Sequence, residues 1–145
     1  MTTTQNLHLP QWEADDRIMR TDFNDAMASI DAVVAAQQAA TPRIVFGTYV
    51  GDGAETRTIT LDFTPRIVYL CNNNGWVYSA GSNYRSFFGG LFFQQAPIID
   101  EYQNIIHQIV ANGFTVRCKE DTSHSHIQGY FSNENGQTYR YVAIG

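Results

Sequence analysis

The chain has 145 residues, 43% of them hydrophobic and 16% charged, with a formal net charge of -5 and a pI near 5.1. That length suits one compact domain with a short appendage and leaves no room for a second full domain. Arginines scattered singly from Arg17 to Arg140 make no basic stripe that could release counterions from nucleic acid, and a surface this poor in charge has to be built from Asn, Gln, Ser, Thr and Tyr, which suits sugars and protein neighbours.

In chain order, the opening MTTTQNLHLPQWEADD has neither the basic start nor the apolar core of a secretory signal peptide, and no later run reaches the roughly 20 apolar residues that span a bilayer. The expectation is a product made in the cytoplasm without a signal peptide and without membrane insertion. Residues 21–40, TDFNDAMASIDAVVAAQQAA, form the only long stretch of helical period. Thr21 is the expected N-cap, with Asp22 and Asp25 near the positive end of the helix dipole. Phe23, Met27, Ile30, Val34 and Gln37 recur at spacings of four and three and lay a narrow seam along the helix. A helix of this length is marginal alone in water, so the seam either packs on its own domain or meets copies of itself in a short coiled coil. Thr41-Pro42 ends it.

Beyond Pro42 the pattern is that of strands. Ile59, Leu61 and Phe63 alternate with Thr58, Thr60 and Asp62, and Phe114, Val116 and Cys118 alternate with Thr115, Arg117 and Lys119, the period of half-buried antiparallel strands. RIVYLC (66–71) and NIIHQIV (104–110) are apolar on both faces and read as central strands. Three Asn-Gly pairs, Asn74-Gly75, Asn112-Gly113 and Asn135-Gly136, read as tight hairpin turns with positive φ. GTYVGDG (47–53) precedes a strand rather than a helix, lacks the helix N-terminus that holds a phosphate, and reads as a hairpin loop. With no helix between the strands, the expected fold is mainly β: an antiparallel sandwich head (residues 42–145) preceded by an N-terminal arm (1–20) and one short helix (21–41). Cys71 and Cys118 lack the paired spacing of a zinc or redox motif; buried free thiols are the favoured reading, a single disulfide the alternative.

No G-x-S-x-G, H-E-x-x-H, Walker or G-x-G-x-x-G pattern is present, so the chain reads as a non-enzyme. The acidic pairs Asp15-Asp16 and Asp100-Glu101 read as solvated caps and turns rather than a glycosidase dyad. The stretch DTSHSHI (121–127) places His124 and His126 two residues apart. On a strand the pair would share a face, and three copies around an axis would supply six imidazoles, an octahedral set for a divalent transition metal. In a Ser/Thr-rich turn they would simply face water. His107, between Ile106 and Gln108, reads as a core or interface histidine. Trp76, Tyr78, Asn83, Tyr84 and Arg85 combine flat rings with hydrogen-bonding handles, the mixture that stacks on sugars or anchors an interface. Val77, Phe87, Phe88, Phe92 and Phe93 read as core, with Gly89-Gly90 a bulge or turn between two strands.

The segment LHLPQWEADDRIMRTDFNDAMASID resembles the opening of phage tail-fibre and baseplate-appendage proteins from phages and prophages of Gram-positive bacteria. NGQTYRYVAIG is similar to their last strand, and RIVFGTYVGDGAETRTITLDFTPRIVYL to their first strands after the helix. The likeness covers both ends and the early β region; residues 76–121 match nothing in it. The resemblance implies a homotrimeric virion appendage that docks on other tail or baseplate proteins through its N-terminal arm and turns a β head towards host cell-surface polysaccharide. On that reading the helices join through Phe23, Met27, Ile30 and Val34, the receptor contacts fall to Trp76, Tyr78, Asn83, Tyr84 and Arg85, and His124 and His126 are candidate ligands of an iron-like divalent metal on the threefold axis. A structural connector that touches only other virion proteins is the alternative.

Overall fold

The computed structural model describes residues 2–145; Met1, the first residue of the expected arm, lies outside them. The chain divides into two compact units, Met1–Pro42 and Arg43–Gly145. In the first, β1 (Thr2–Thr3) pairs antiparallel with β2 (Pro10–Gln11), and α1 (Arg20–Ala40) follows. The helix starts before the expected Thr21 cap. Met19 takes the N-cap position with extended backbone, and the Asp22 carboxylate accepts its N–H at 3.3 Å, so Thr21 lies inside the first turn. The reason is physical: a carboxylate three residues on satisfies a free donor that a threonine hydroxyl would otherwise have to meet. At the other end Pro42 holds Thr41 in extended backbone, and the Thr41 N–H and hydroxyl both donate to the Gln37 carbonyl, at 3.0 and 2.8 Å. Ala26 is the buried residue of the helix, while Phe23, Met27 and Val34 are exposed.

The second unit is built from β3 (Ile44–Val50), β4 (Thr56–Thr60), β5 (Ile67–Asn72), β6 (Tyr78–Ala80), β7 (Tyr84–Phe87), β8 (Gly90–Phe93), β9 (Ile98–Ile99), β10 (Ile105–His107), β11 (Ile109–Val110), β12 (Gly113–Asp121), β13 (Ile127–Phe131) and β14 (Thr138–Ile144). A four-stranded antiparallel sheet runs β3-β14-β5-β8. A six-stranded sheet runs β11-β12-β13-β7-β6 with β4 also on β12, and β9 and β10 form a separate pair. Both large sheets feed one core: Ile59, Phe114 and Val116 from the second pack with Val68, Leu70, Phe92, Tyr139 and Ala143 from the first. Each such fully buried aliphatic or aromatic side chain contributes roughly 1.5–3 kcal/mol relative to exposure.

The period-two pattern thus placed Ile59 of β4 and Phe114 and Val116 of β12 inwards, but Leu61 and Phe63 fall beyond the end of β4 and pack only partly buried against the core, and several other expectations change. β13 and β7 pair in parallel, Ile127 beside Tyr84 and Tyr130 beside Phe87, so the fold is not purely antiparallel. The long stretch of chain between them supplies the crossover that a parallel pair requires. NIIHQIV is not one central strand; it breaks into β10 and β11, with an irregular register between Ile105 and His107. Of the Asn-Gly pairs, only Asn112-Gly113 closes a hairpin between paired strands, with the positive φ on Asn112. Asn74-Gly75 and Asn135-Gly136 instead lie between strands of different sheets, and GTYVGDG is not a loop throughout: Gly47 to Val50 are the end of β3, and only Gly51-Asp52-Gly53 lie in the connection to β4. The glycines of those two pairs still take the left-handed conformation (Gly75 φ 83, Gly136 φ 78), because a sharp reversal needs it whichever sheet the chain enters next. Both cysteines are free thiols.

β5 does lie inside its sheet, yet its outer face is only partly buried. Val68 and Leu70 face the core; on the other face Cys71 is buried and Tyr69 is exposed. The register aligns Ile44, Ile144, Ile67 and Phe93 in one row across the outer face, and Phe46, Val142, Tyr69 and Leu91 in the next.

Candidate functional site

The β9–β10 loop folds over β13 and is held there by Asp100. The Asp100 Oδ1 accepts the backbone N–H of Tyr102 at 2.9 Å and of Asn104 at 2.8 Å, while Oδ2 accepts the Asn104 side-chain amide at 2.9 Å and the Tyr130 hydroxyl at 2.6 Å. An aspartate opening a turn supplies this local bonding because its short side chain reaches the amides two and four residues on. Asp100 is only 4% exposed, which corrects the reading of Asp100-Glu101 as a solvated turn. Burial alone would raise its pKa, but the donors from Tyr130, Asn104 and Tyr102 outweigh burial and hold the carboxyl below the ordinary aspartate range. The Tyr130 hydroxyl is pushed the other way by burial and by the Asp100 carboxylate it donates to. A carboxylate saturated in this manner is an anchor and a poor proton donor.

Next to it, the Glu101 Oε1 accepts the Gln128 side-chain amide at 3.0 Å and lies 3.2 Å from His126 Nδ1. Gln128, fully buried, also donates to the His126 carbonyl at 3.2 Å. The Tyr102 ring stacks on His124, with centroids 3.6 Å apart and planes within 12°, and its hydroxyl is 3.0 Å from Ser125 Oγ. DTSHSHI is therefore the turn between β12 and β13, capped by Asp121, whose carboxylate accepts the Ser123 N–H at 2.9 Å. That removes the shared strand face on which the threefold imidazole cage depended. His124 and His126 engage different residues, and among the described residues no three His, Cys, Asp or Glu side chains gather where they could hold a metal. The pair does not fit the strand-borne His-x-His arrangement.

The strand register then assembles a cleft. Arg85 lies beside Gln128, Phe87 beside Tyr130 and Tyr78 beside Phe87, so these side chains share one face of the sheet. Tyr78, Arg85, Phe87 and Gln128, with Ile99, Asp100 and Glu101, line a hollow of about 130 Å³. The Tyr78 and Phe87 rings pack at 5.0 Å with a 53° tilt, and the Arg85 guanidinium is steadied by the Gly81 and Tyr84 carbonyls at 2.8 and 3.1 Å. Such a cleft is too small for a whole ligand of ordinary size and suits one polar or ring substituent of a longer chain. Tyr84, Ser86, Glu120, Ile127 and Phe131, together with Arg85, which also lines the first cleft, border a second hollow of about 310 Å³.

Of the residues expected to meet a receptor, Tyr78 and Arg85 come together in the first cleft. Tyr84 lines the second, since neighbours along a strand point to opposite faces. Asn83 sits in the β6–β7 turn, where its carbonyl accepts the Ile127 N–H at 2.9 Å, and Trp76 stands in the β5–β6 turn with its ring edge on Phe88 at 6.4 Å. Asp100, Glu101, Gln128 and Tyr130 were missed: the acidic pair is visible in the sequence, but nothing local marks Gln128 as its partner. Among the described residues no helix is long and apolar enough to cross a membrane. Comparison of the chain with protein-family models, with curated proteins and with solved structures finds no match.

Proposed function

We propose that the chain is a non-enzymatic adhesion module of a virion tail, a homotrimer whose β-sandwich heads bind a host cell-surface polysaccharide. The observation that carries this reading is the cleft at Tyr78, Arg85 and Glu101: a half-exposed aromatic ring beside a tethered guanidinium and a carboxylate. An aromatic plate gives a sugar ring a stacking surface, and fixed charged groups read its hydroxyls or anionic substituents. The exposed Phe23, Met27 and Val34 of α1 are available to meet the same helix in sister copies. Binding of the full-length protein to host cells or to a glycan array tests the reading. Tyr78→Ala and Arg85→Ala should each weaken binding about 3- to 10-fold per head, as expected for the loss of one aromatic or charged contact, with the fold intact because Tyr78 is exposed and Arg85 only partly covered. A wild-type protein that binds neither cells nor any glycan would refute adhesion.

The alternative, a connector that touches only other virion proteins, draws on Leu7, Ile18 and Met19, exposed apolar residues of the N-terminal unit. It is separated by competition: an adhesin displaces virions from host cells, a connector leaves their adsorption unchanged.

A further inference from the structure

The outer face of the four-stranded sheet is unlike the polar outside expected of a half-buried sheet. Phe46 is 78% exposed, and Ile44, Val50, Tyr69, Leu91 and Phe93 are 41–55% exposed. With side chains of this class carrying roughly 150–250 Å² each when aromatic, and about half of that open, the six present on the order of 600 Å² of apolar surface. That reaches the upper end of what ordinary monomers display, roughly 300–600 Å², and approaches the roughly 800 Å² per partner of a stable interface. We propose that this face is a contact between copies of the chain, in which Phe46 of one copy enters the hollow beside Tyr69 and Cys71 of the next.

Shape supports a second copy as the occupant. The face carries both a projection and a hollow: the exposed Phe46 ring stands out from β3 and forms one wall of a hollow of about 430 Å³, whose other walls include Thr48, Tyr69, Cys71, Arg140 and Val142. A surface bearing both halves of a fit is self-complementary, the condition for symmetric association. Charge supports it too. In a molecule of net charge -5, copies repel over most of their surface. Here the paired strands present one cation, Arg140, and no carboxylate. Arg140 already donates to the Asn73 side-chain carbonyl, at 3.1 Å from Nη2, which meets part of its hydrogen-bonding capacity within the chain. An anionic partner would meet only that single cation.

The inference rests on the homo-oligomeric reading above and locates its contact in the head. Sedimentation velocity of the full-length chain over a range of concentrations tests it, with Phe46→Glu and Leu91→Glu as separate variants and Ile30→Asp/Val34→Asp as the helix control. Both sheet positions are open to solvent, so circular dichroism should match wild type; Phe46→Ser serves where the glutamate disturbs the fold. The expected result is an oligomeric wild type and at least a tenfold weaker association for either glutamate variant. Sheet variants that associate like wild type while the helix control dissociates would overturn this inference and leave the trimer standing on the helix. A wild type monomeric at every concentration would overturn both. A wild type that is monomeric alone but captures another virion protein through Phe46 would show a foreign partner on the face and also refute the proposal.

Discussion

His107 is the least conventional residue of the core. It is fully buried, its ring lies over Phe92 at 5.7 Å, and neither ring nitrogen makes a hydrogen bond of good geometry, although the Thr115 backbone favours its charged form. Burial, with the Arg117 charge nearby, brings its pKa down from 6.5 to about 4. The folded protein therefore keeps a neutral ring where the unfolded chain would take up a proton. Its contribution to stability is intact above pH 6.5 and is lost as the pH falls towards about 4. A shift of that size corresponds to at most about 3 kcal/mol. Urea midpoints measured at neutral pH and near pH 4.5 should show the fall. His107→Leu should flatten it, with stability at neutral pH changed little, because removing unpaired buried nitrogens offsets lost packing. Asp100 adds to the same trend lower down: its depressed carboxyl supports the fold above the ordinary aspartate pKa and ceases to as the pH falls through the folded value. Both residues were visible in the sequence, His107 correctly as a core candidate and Asp100 not. The difference is that His107 sits among apolar neighbours in sequence, whereas the burial of Asp100 comes from Tyr130, thirty residues away.

At the scale of elements, the Gly89-Gly90 pair joins β7 to β8 and so carries the chain from one large sheet into the other. A Cβ on Gly89 would lie 2.1 Å from the Leu70 carbonyl oxygen, a backbone atom of β5 that cannot step aside. Gly89→Ala should therefore cost about 1–3 kcal/mol, as overpacking does, read as a lower thermal midpoint with unchanged helix content. The pair was legible as a turn or bulge. That it is a crossing between sheets was not, because a tight turn has the same local chemistry whether the next strand pairs with the last or leaves it. The same ambiguity explains Asn74-Gly75 and Asn135-Gly136. The helix was the best-defined element in the sequence, and its N-terminus shifted only because Asp22 reaches back to Met19.

For the whole molecule, the proposed function depends on copies acting together. In the proposed trimer, three weak heads held rigidly would make the later contacts intramolecular and raise avidity by about 10² to 10⁴ without any new contact. The dissociated variants should accordingly lose about that factor in apparent affinity for a glycan-coated surface, while their affinity for a soluble monovalent glycan stays within a few-fold of wild type. Surface plasmon resonance in the two formats measures both. Equal losses in the two formats would mean that the substitutions damaged the site itself.

Local periodicity determined that the chain is mainly β with one helix, which residues of β4 and β12 face inwards, and where the helix stops, because these follow from the geometry of adjacent residues alone. The aromatic and arginine residues of β6 and β7 could be singled out by their chemistry, but which of them share a face with Gln128 could not. Tertiary structure decided the parallel pairing of β7 with β13, the folding of the Asp100 loop over Tyr130, and the uncovered outer face at Phe46. Each of these joins segments far apart along the chain, and the free energy of such contacts is set by register and packing between strands whose own sequences do not name their partners.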